Sequence, residues 1–139
     1  MIVLDTNVIS ALMLDEPDKK VVAWLDRALP EAVWLTTISI FEVRFGIELL
    51  PAGRRRAHLE HQFARVIDTD IQDRILGFDE NAAATAGLIA AVRQQTGRPS
   101  EIRDTLIAGI VRARSADFAT RNVKHFDDLG IKLINPWAD

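Results

Sequence analysis

The sequence predicts an α/β domain built on a mostly parallel sheet of about five strands, with helices on both faces. Three observations carry that expectation. The chain opens on Met1-Ile2-Val3-Leu4-Asp5, a short apolar run that ends in a carboxylate, followed by the turn-prone Thr6-Asn7 and an amphipathic segment. That is the pattern of a buried strand delivering an acid to its C-terminal end. Short β-branched or aromatic runs then alternate with longer stretches of helical spacing, which is how parallel strands joined by crossover helices read. Finally, the 139 residues show no internal repeat and no shift of composition, so the whole of 1–139 reads as a single domain.

The strands follow in order as Ile2 to Leu4, Val33 to Thr36, Ile75 to Phe78, Asp117 to Thr120 and Lys132 to Ile134. Helical stretches lie between them: Lys19 to Leu29, Ile40 to Leu50, Arg54 to Ile67, Glu80 to Gln95 and Ile102 to Arg114. Val21, Val22, Trp24, Leu25 and Leu29 fall on one helical face, and so do Ile102, Leu106, Ile107 and Ile110. Pro51-Ala52-Gly53 and Gly97-Arg98-Pro99-Ser100 interrupt neighbouring helices within the domain.

Composition narrows the chemistry. There is no cysteine, which removes thiol catalysis, iron-sulfur clusters and cysteine-ligated metals, and a reducing cytoplasm is the expected home. Oxygen ligands are what remains. The longest apolar runs fall far short of the ~20 residues that span a bilayer, so no membrane association is expected. A net charge of -3 excludes broad electrostatic adhesion to nucleic acid and leaves such contacts to local basic patches.

Three acids, Asp5, Glu42 and Asp104, sit just past apolar or turn-marked stretches, at the starts of helical segments. Each has an ordinary structural explanation. Asp5 can cap the helix that follows it, worth about 1 kcal/mol. Ser39-Ile40-Phe41-Glu42 matches a capping box in which Ser39 is the cap. Asp104 falls in a first helical turn, where the dipole favours negative charge, while sharing a side with Ile107 and Val111. Yet helices that follow parallel strands all begin at one sheet edge, so these carboxylates crowd into one crevice. Crowded like charges raise one another's pKa and destabilise the fold unless neutralised, and a divalent cation is the simplest remedy. Hard carboxylates without soft ligands select Mg²⁺ or Mn²⁺.

At these residues the chain resembles a known family. Met1-Ile2-Val3-Leu4-Asp5-Thr6-Asn7-Val8-Ile9-Ser10, Ile38-Ser39-Ile40-Phe41-Glu42-Val43-Arg44-Phe45-Gly46, Ile102-Arg103-Asp104-Thr105-Leu106-Ile107-Ala108, Ala119-Thr120-Arg121-Asn122 and the closing Asn135-Pro136-Trp137 look like a PIN domain. More narrowly they resemble the VapC toxins and their FitB-like branch. The resemblance runs from end to end. It implies a Mg²⁺-dependent ribonuclease, with Mn²⁺ able to substitute, that is restrained by a cognate VapB-type antitoxin in a type II toxin-antitoxin pair. A homodimer and a toxin-antitoxin hetero-oligomer are implied with it.

Carried over by position, Asp5, Glu42 and Asp104 match the family's three leading acids, and Thr120 its hydroxyl position. Asn122 stands where many members have a fourth Asp; its amide oxygen can still meet a metal or water, but one negative charge is gone. Thr6, Asn7, Thr120 and Arg121 are the expected substrate-binding residues. Asp5 and Asp104 are expected to bind the ion directly, with Glu42 holding the attacking water or acting as its base. Arg103, Arg121, Lys124 and the run Arg54-Arg55-Arg56 are candidates for RNA phosphates, against solvated surface charge for the run. His58, His61 and His125 read as surface or helix-end residues, and Met13, Trp24, Trp34 and Phe45 as core or interface.

Other classes fit less well. A receiver-like signalling domain needs adjacent acids after its first strand, where Thr6 and Asn7 stand, and a haloacid-dehalogenase-type phosphatase needs an acid where Asn7 stands. A catalytically silent PIN-like binding protein is the alternative that Asn122 favours.

Overall fold

The computed structural model describes residues 1–138. Strands β1 (Ile2–Leu4), β2 (Val33–Thr36), β3 (Ile75–Leu76), β4 (Asp117–Ala119) and β5 (Leu133–Ile134) form one sheet in the order β3-β2-β1-β4-β5. Every pairing is parallel. The helices are α1 (Thr6–Leu12), α2 (Lys19–Arg27), α3 (Thr37–Glu48), α4 (Arg54–Arg65), α5 (Glu80–Gln95) and α6 (Ile102–Ala113).

Strand alternation divides the core in two. Leu4, Val33, Leu35 and Ala119 face one apolar cluster with Val8, Ile9, Val21, Val43, Ile47 and Phe63 from α1 to α4. Val3 and Phe118, one residue away in their strands, face the other with Ala82, Ile89, Ile107, Ile110 and Val111 from α5 and α6. A sheet buried on both faces is why its strands read as continuous apolar runs. The α5–α6 contact is close: a Cβ on Gly109 would stand 2.6 Å from Ala86 Cβ and 2.7 Å from the Ala82 carbonyl oxygen. That approach fixes α6, and with it Asp104.

Several boundaries differ from the sequence expectation. Helix α2 stops at Arg27 rather than Leu29, because Pro30 disfavours helical geometry before it and Leu29 is extended, with ψ 127°. Helix α3 starts at Thr37, not Ile40, and its cap is Thr36, whose hydroxyl accepts from the Ser39 N–H at 3.1 Å. The capping box at Ser39 is therefore overturned: Ser39 lies inside the first turn, and Glu42 is free for other partners. Helix α4 ends at Arg65 and relaxes into a π turn over Val66–Ile71. Strand β3 covers only Ile75–Leu76, and β4 ends at Ala119, although the Thr120 N–H still donates to the Ile134 carbonyl of β5 at 2.9 Å.

Candidate active site

Strand order places the site. From β1 the chain moves outward through β2 to β3, then returns to the opposite side of β1 for β4, so connections diverge above the C-terminal ends of β1 and β4. Such a divergence leaves a crevice at that edge. Asp5 follows β1 and Thr120 follows β4, and the two strands are in register through Leu4 and Ala119.

Asp5 is held on both oxygens. Its Oδ1 accepts from the Thr6 N–H at 2.8 Å, so it does cap α1, and its Oδ2 accepts from the Thr120 hydroxyl at 2.7 Å. The Asn7 amide adds a longer donation to Oδ2 at 3.4 Å, while its own oxygen accepts from the Arg121 N–H at 3.3 Å. Asp5 is 5% exposed and Thr120 fully buried. Burial pushes the Asp5 carboxyl above its ordinary value, the Thr120 and Thr6 hydrogen bonds pull it back, and Asp104 pushes it up again.

Glu42 reaches the same crevice from the second turn of α3. The Thr6 hydroxyl donates toward both Glu42 Oε1 at 3.2 Å and the buried Ser39 Oγ at 2.9 Å, tying α1 to α3. Burial raises the Glu42 carboxyl, opposed by Thr6 and by Arg103, whose guanidinium lies 3.9 Å away, and supported by Asp5 and Asp104. Asp104, in the first turn of α6, is also raised, by burial and by Glu101, against the opposing charges of His125, Arg93 and Arg103. Asp104 raises the carboxyls of both Asp5 and Glu42, and Asp5 raises that of Glu42, so the three acids lie within electrostatic reach of one another although only Asp5 caps a helix.

Among the described residues no group of three or more His, Cys, Asp or Glu stands close enough to hold an ion directly. The chemistry of the donors nevertheless fits a hard divalent cation. Three desolvated carboxylates with raised pKa values and no sulfur ligand suit an ion that keeps several of its own waters and takes only one or two protein ligands.

The other expected residues divide. Thr6, Asn7 and Thr120 build the framework just described. Arg121 stands at the rim with its guanidinium 5.0 Å from the centre of the Trp137 ring, and Trp137 in turn packs on the core. Asn122 joins through its backbone, whose N–H donates to Thr120 Oγ1 at 3.0 Å, while its side chain belongs to an exposed residue. Arg56 of the basic run is engaged by Glu48 and Glu60. His125 is exposed and ends a short 3-10 turn, as expected, but its Nδ1 also stands 3.9 Å from Asp104 Oδ2. Sequence reasoning missed that proximity and the Ser39–Thr6 link. Only the position of His125 three residues after Asn122, in the same post-strand loop, hinted at the first.

Beside the acids runs an apolar groove of about 280 Å³ lined by Met13, Leu14, Val43, Ile47 and Leu59, with Thr6 and Glu42 at its polar end. Next to it the exposed face of α3 presents Phe41 and Phe45, their rings stacked at 6.0 Å, and Leu49. No helix among the described residues is long and apolar enough to cross a membrane.

Comparison with known proteins agrees with this architecture. The PIN domain profile matches residues 2–132. The chain is 36% identical over 137 residues to VapC ribonuclease Y4jK of Sinorhizobium fredii, covering 99% of this chain and 98% of the relative. It is 36% identical over 139 residues to Toxin FitB of Neisseria gonorrhoeae, covering both chains completely. The crystal structure of FitAcB from Neisseria gonorrhoeae superposes with a TM-score of 0.89 at 35% identity, again covering all of each chain. FitAB bound to the IR36 DNA fragment gives the same score and covers 97% of that chain.

Proposed function

The chain belongs to the PIN-domain family, alongside the VapC and FitB proteins, and from that premise we propose that it is the toxin of a type II toxin-antitoxin pair, acting as a metal-dependent endoribonuclease. The observation that carries the reading is the convergence of Asp5, Glu42 and Asp104 at one sheet edge, each with a raised pKa. Bare, such a site repels RNA. A Mg²⁺ or Mn²⁺ ion bound there supplies charge neutralisation for the phosphodiester and lowers the pKa of water.

The chain's own residues divide the remaining work. Asp5, fixed by Thr120 and Thr6, and Asp104, on α6, would hold the ion. Glu42 accepts a proton from the attacking water, and its raised pKa makes it a stronger base than an ordinary carboxylate. The water oxygen bonds to phosphorus as the bond to the leaving ribose oxygen breaks, and that oxygen takes up a proton from solvent. Arg103 and Arg121, at the rim, meet the flanking phosphates. The apolar groove ending at Thr6 and Glu42 suits an antitoxin segment of VapB type that buries apolar side chains and approaches the acids with a basic one. The exposed Phe41–Phe45 face supplies further area for assembly, as a homodimer or with the antitoxin, and the cytoplasm is the compartment where RNA and antitoxin would be met.

The test is cleavage of an RNA oligonucleotide by purified protein with Mg²⁺ or Mn²⁺, its arrest by EDTA, and its suppression by a co-purified cognate antitoxin. Undiminished cleavage in EDTA removes the metal from the mechanism. RNA binding without cleavage under any divalent ion makes the chain a silent PIN-like binding protein.

A further inference from the structure

Arg93 in the last turn of α5 and Arg98 just beyond the helix grip the loop that follows β4. Arg93 is 3% exposed; its Nε and Nη2 donate to the two oxygens of Asp128 at 3.2 and 2.8 Å, and Nη2 also donates to the His125 carbonyl oxygen. Arg98 donates to Asp127 at 2.9 Å and to the Lys124 carbonyl oxygen. Burial raises the Asp128 carboxyl, but its hydrogen bonds and the Arg93 charge outweigh that and hold it below the ordinary range.

A buried guanidinium is costly unless its donors are matched, so a loop that needed only to be closed would be served as well by apolar contacts. Those contacts are already present. Phe126 is 1% and Leu129 5% exposed, and Phe126 packs edge-on against Phe118 at 4.9 Å. What the guanidinium adds is direction, because a planar fork fixes a carboxylate and a carbonyl at set angles. The carbonyl it fixes belongs to His125, whose side chain is 61% exposed and so cannot be placed by its own packing. That imidazole shares with Asp104, Arg98, Ser100 and Glu101 an open cleft of about 250 Å³ on the α6 side of the acids.

We propose that Arg93 is a positioning residue for RNA: by holding the His125 carbonyl and Asp128 it fixes the loop of residues 122–129 so that the His125 imidazole stands beside Asp104 and donates to a phosphate of the bound strand. The inference rests on the nuclease reading above. It predicts that Arg93 acts through His125 and on substrate binding rather than on the chemical step.

The experiment compares Arg93→Lys, His125→Ala and the double variant of the full chain. Lysine keeps the charge but cannot span Asp128 and the carbonyl together. With Mg²⁺ and a single-stranded RNA oligonucleotide, each single variant should raise KM on the order of tenfold with kcat changed less than about twofold, and the double variant should be no worse than the larger single one. Amide exchange without metal or RNA should lose protection at His125 and Phe126, whose N–H groups bond to Asn122 and Val123, while α5 and α6 keep theirs. Additive effects, a loss confined to kcat, or an unchanged loop would overturn the proposal. Should Arg93→Lys fail to fold, Asp128→Asn, which keeps an acceptor but surrenders the charge, must show the same pattern more weakly. Should the wild-type chain cleave no RNA, the nuclease reading fails on its own. The substrate role of Arg93 falls with it, while the exchange pattern still decides whether Arg93 tethers the loop.

Discussion

The two walls of the cleft are built on opposite terms. On the β1–β4 wall, Asp5 is nearly inaccessible and receives the Thr6 N–H and the Thr120 hydroxyl at 2.8 and 2.7 Å. On the α6 wall, Asp104 is 29% exposed and has the His125 ring 3.9 Å away. Asp5 is oriented before anything binds. Asp104 faces open space and can adjust to whatever enters. A site that must take up a charged ion and a charged strand gains from this division, because one fixed ligand sets the geometry and one adjustable ligand completes it.

The largest test of that contrast removes one charge from each wall. Asp5→Asn and Asp104→Asn should each lower cleavage on the order of a thousandfold or more, as removal of a member of a catalytic unit does. Their stabilities should differ. Asp104→Asn relieves repulsion and loses little hydrogen bonding, so its metal-free melting temperature should rise. Asp5→Asn relieves the same repulsion but turns an NH2 group toward one of two donors, so its melting temperature should change less or fall. Equal shifts in calorimetric scans would show that the two walls are energetically alike.

Next in size is the support of the fixed wall. Thr120→Val strips Asp5 of its hydroxyl donor and should cost 10- to 100-fold in activity or metal affinity, the usual range for partners of metal ligands, with about 1 to 3 kcal/mol of stability lost to the unsatisfied carboxylate. Thr6→Val touches only the Glu42 side chain and Ser39, and should cost less in both measurements.

This wall was legible in the sequence only by half. The apolar run ending at Asp5 announced a strand, and alternation announced parallel pairing, because a sheet buried on both faces leaves a strong local signal. Thr120 carried no such local signal and was reached only as the hydroxyl position of the resembling family. Its bond to Asp5 spans 115 residues and depends on the pairing of β1 with β4, which sets Asp5 and Thr120 side by side. The Ser39–Glu42 capping pattern misled for a related reason: Thr36, at the close of β2, offered an earlier cap, and the helix began there. The Arg93–Asp128 pair escaped notice because a buried ion pair between a helix and a distant loop has no sequence period at all.

Acid titration sharpens the comparison further. Burial raises the folded-state pKa values of Asp5, Glu42 and Asp104 above ordinary values of 3.8, 4.5 and 3.8. Between the ordinary and the raised values the folded chain therefore holds more protons than the unfolded one, and stability falls as pH rises. Their contribution is complete below the ordinary values and lost as pH climbs through the raised ones. Asp128 works in the opposite sense, but only as pH falls below its ordinary 3.8. The metal-free melting temperature should accordingly decline as pH is raised from about 4.5 toward 7. Saturating Mg²⁺ should remove the decline, and Asp104→Asn should lessen it. A flat profile without metal would mean that folding does not raise these carboxyls.

The smallest expected effect belongs to Asn122, at the outer edge of the fixed wall. Its backbone N–H serves Thr120 Oγ1, so the loop position matters to Asp5 whatever side chain it carries. The side chain itself belongs to an exposed residue, and an added charge there is screened by solvent. Asn122→Asp should therefore tighten Mn²⁺ binding by no more than about 1 kcal/mol, roughly fivefold, and leave cleavage at saturating metal nearly unchanged. Isothermal titration with Mn²⁺ measures the first and a cleavage assay the second. A gain well beyond tenfold, with strong activation, would mean that an acid at this position turns inward and becomes a ligand. The fixed wall would then hold two carboxylates, and the division of labour between a preset Asp5 and an adjustable Asp104 would have to be redrawn around a pair on one side and a lone acid on the other.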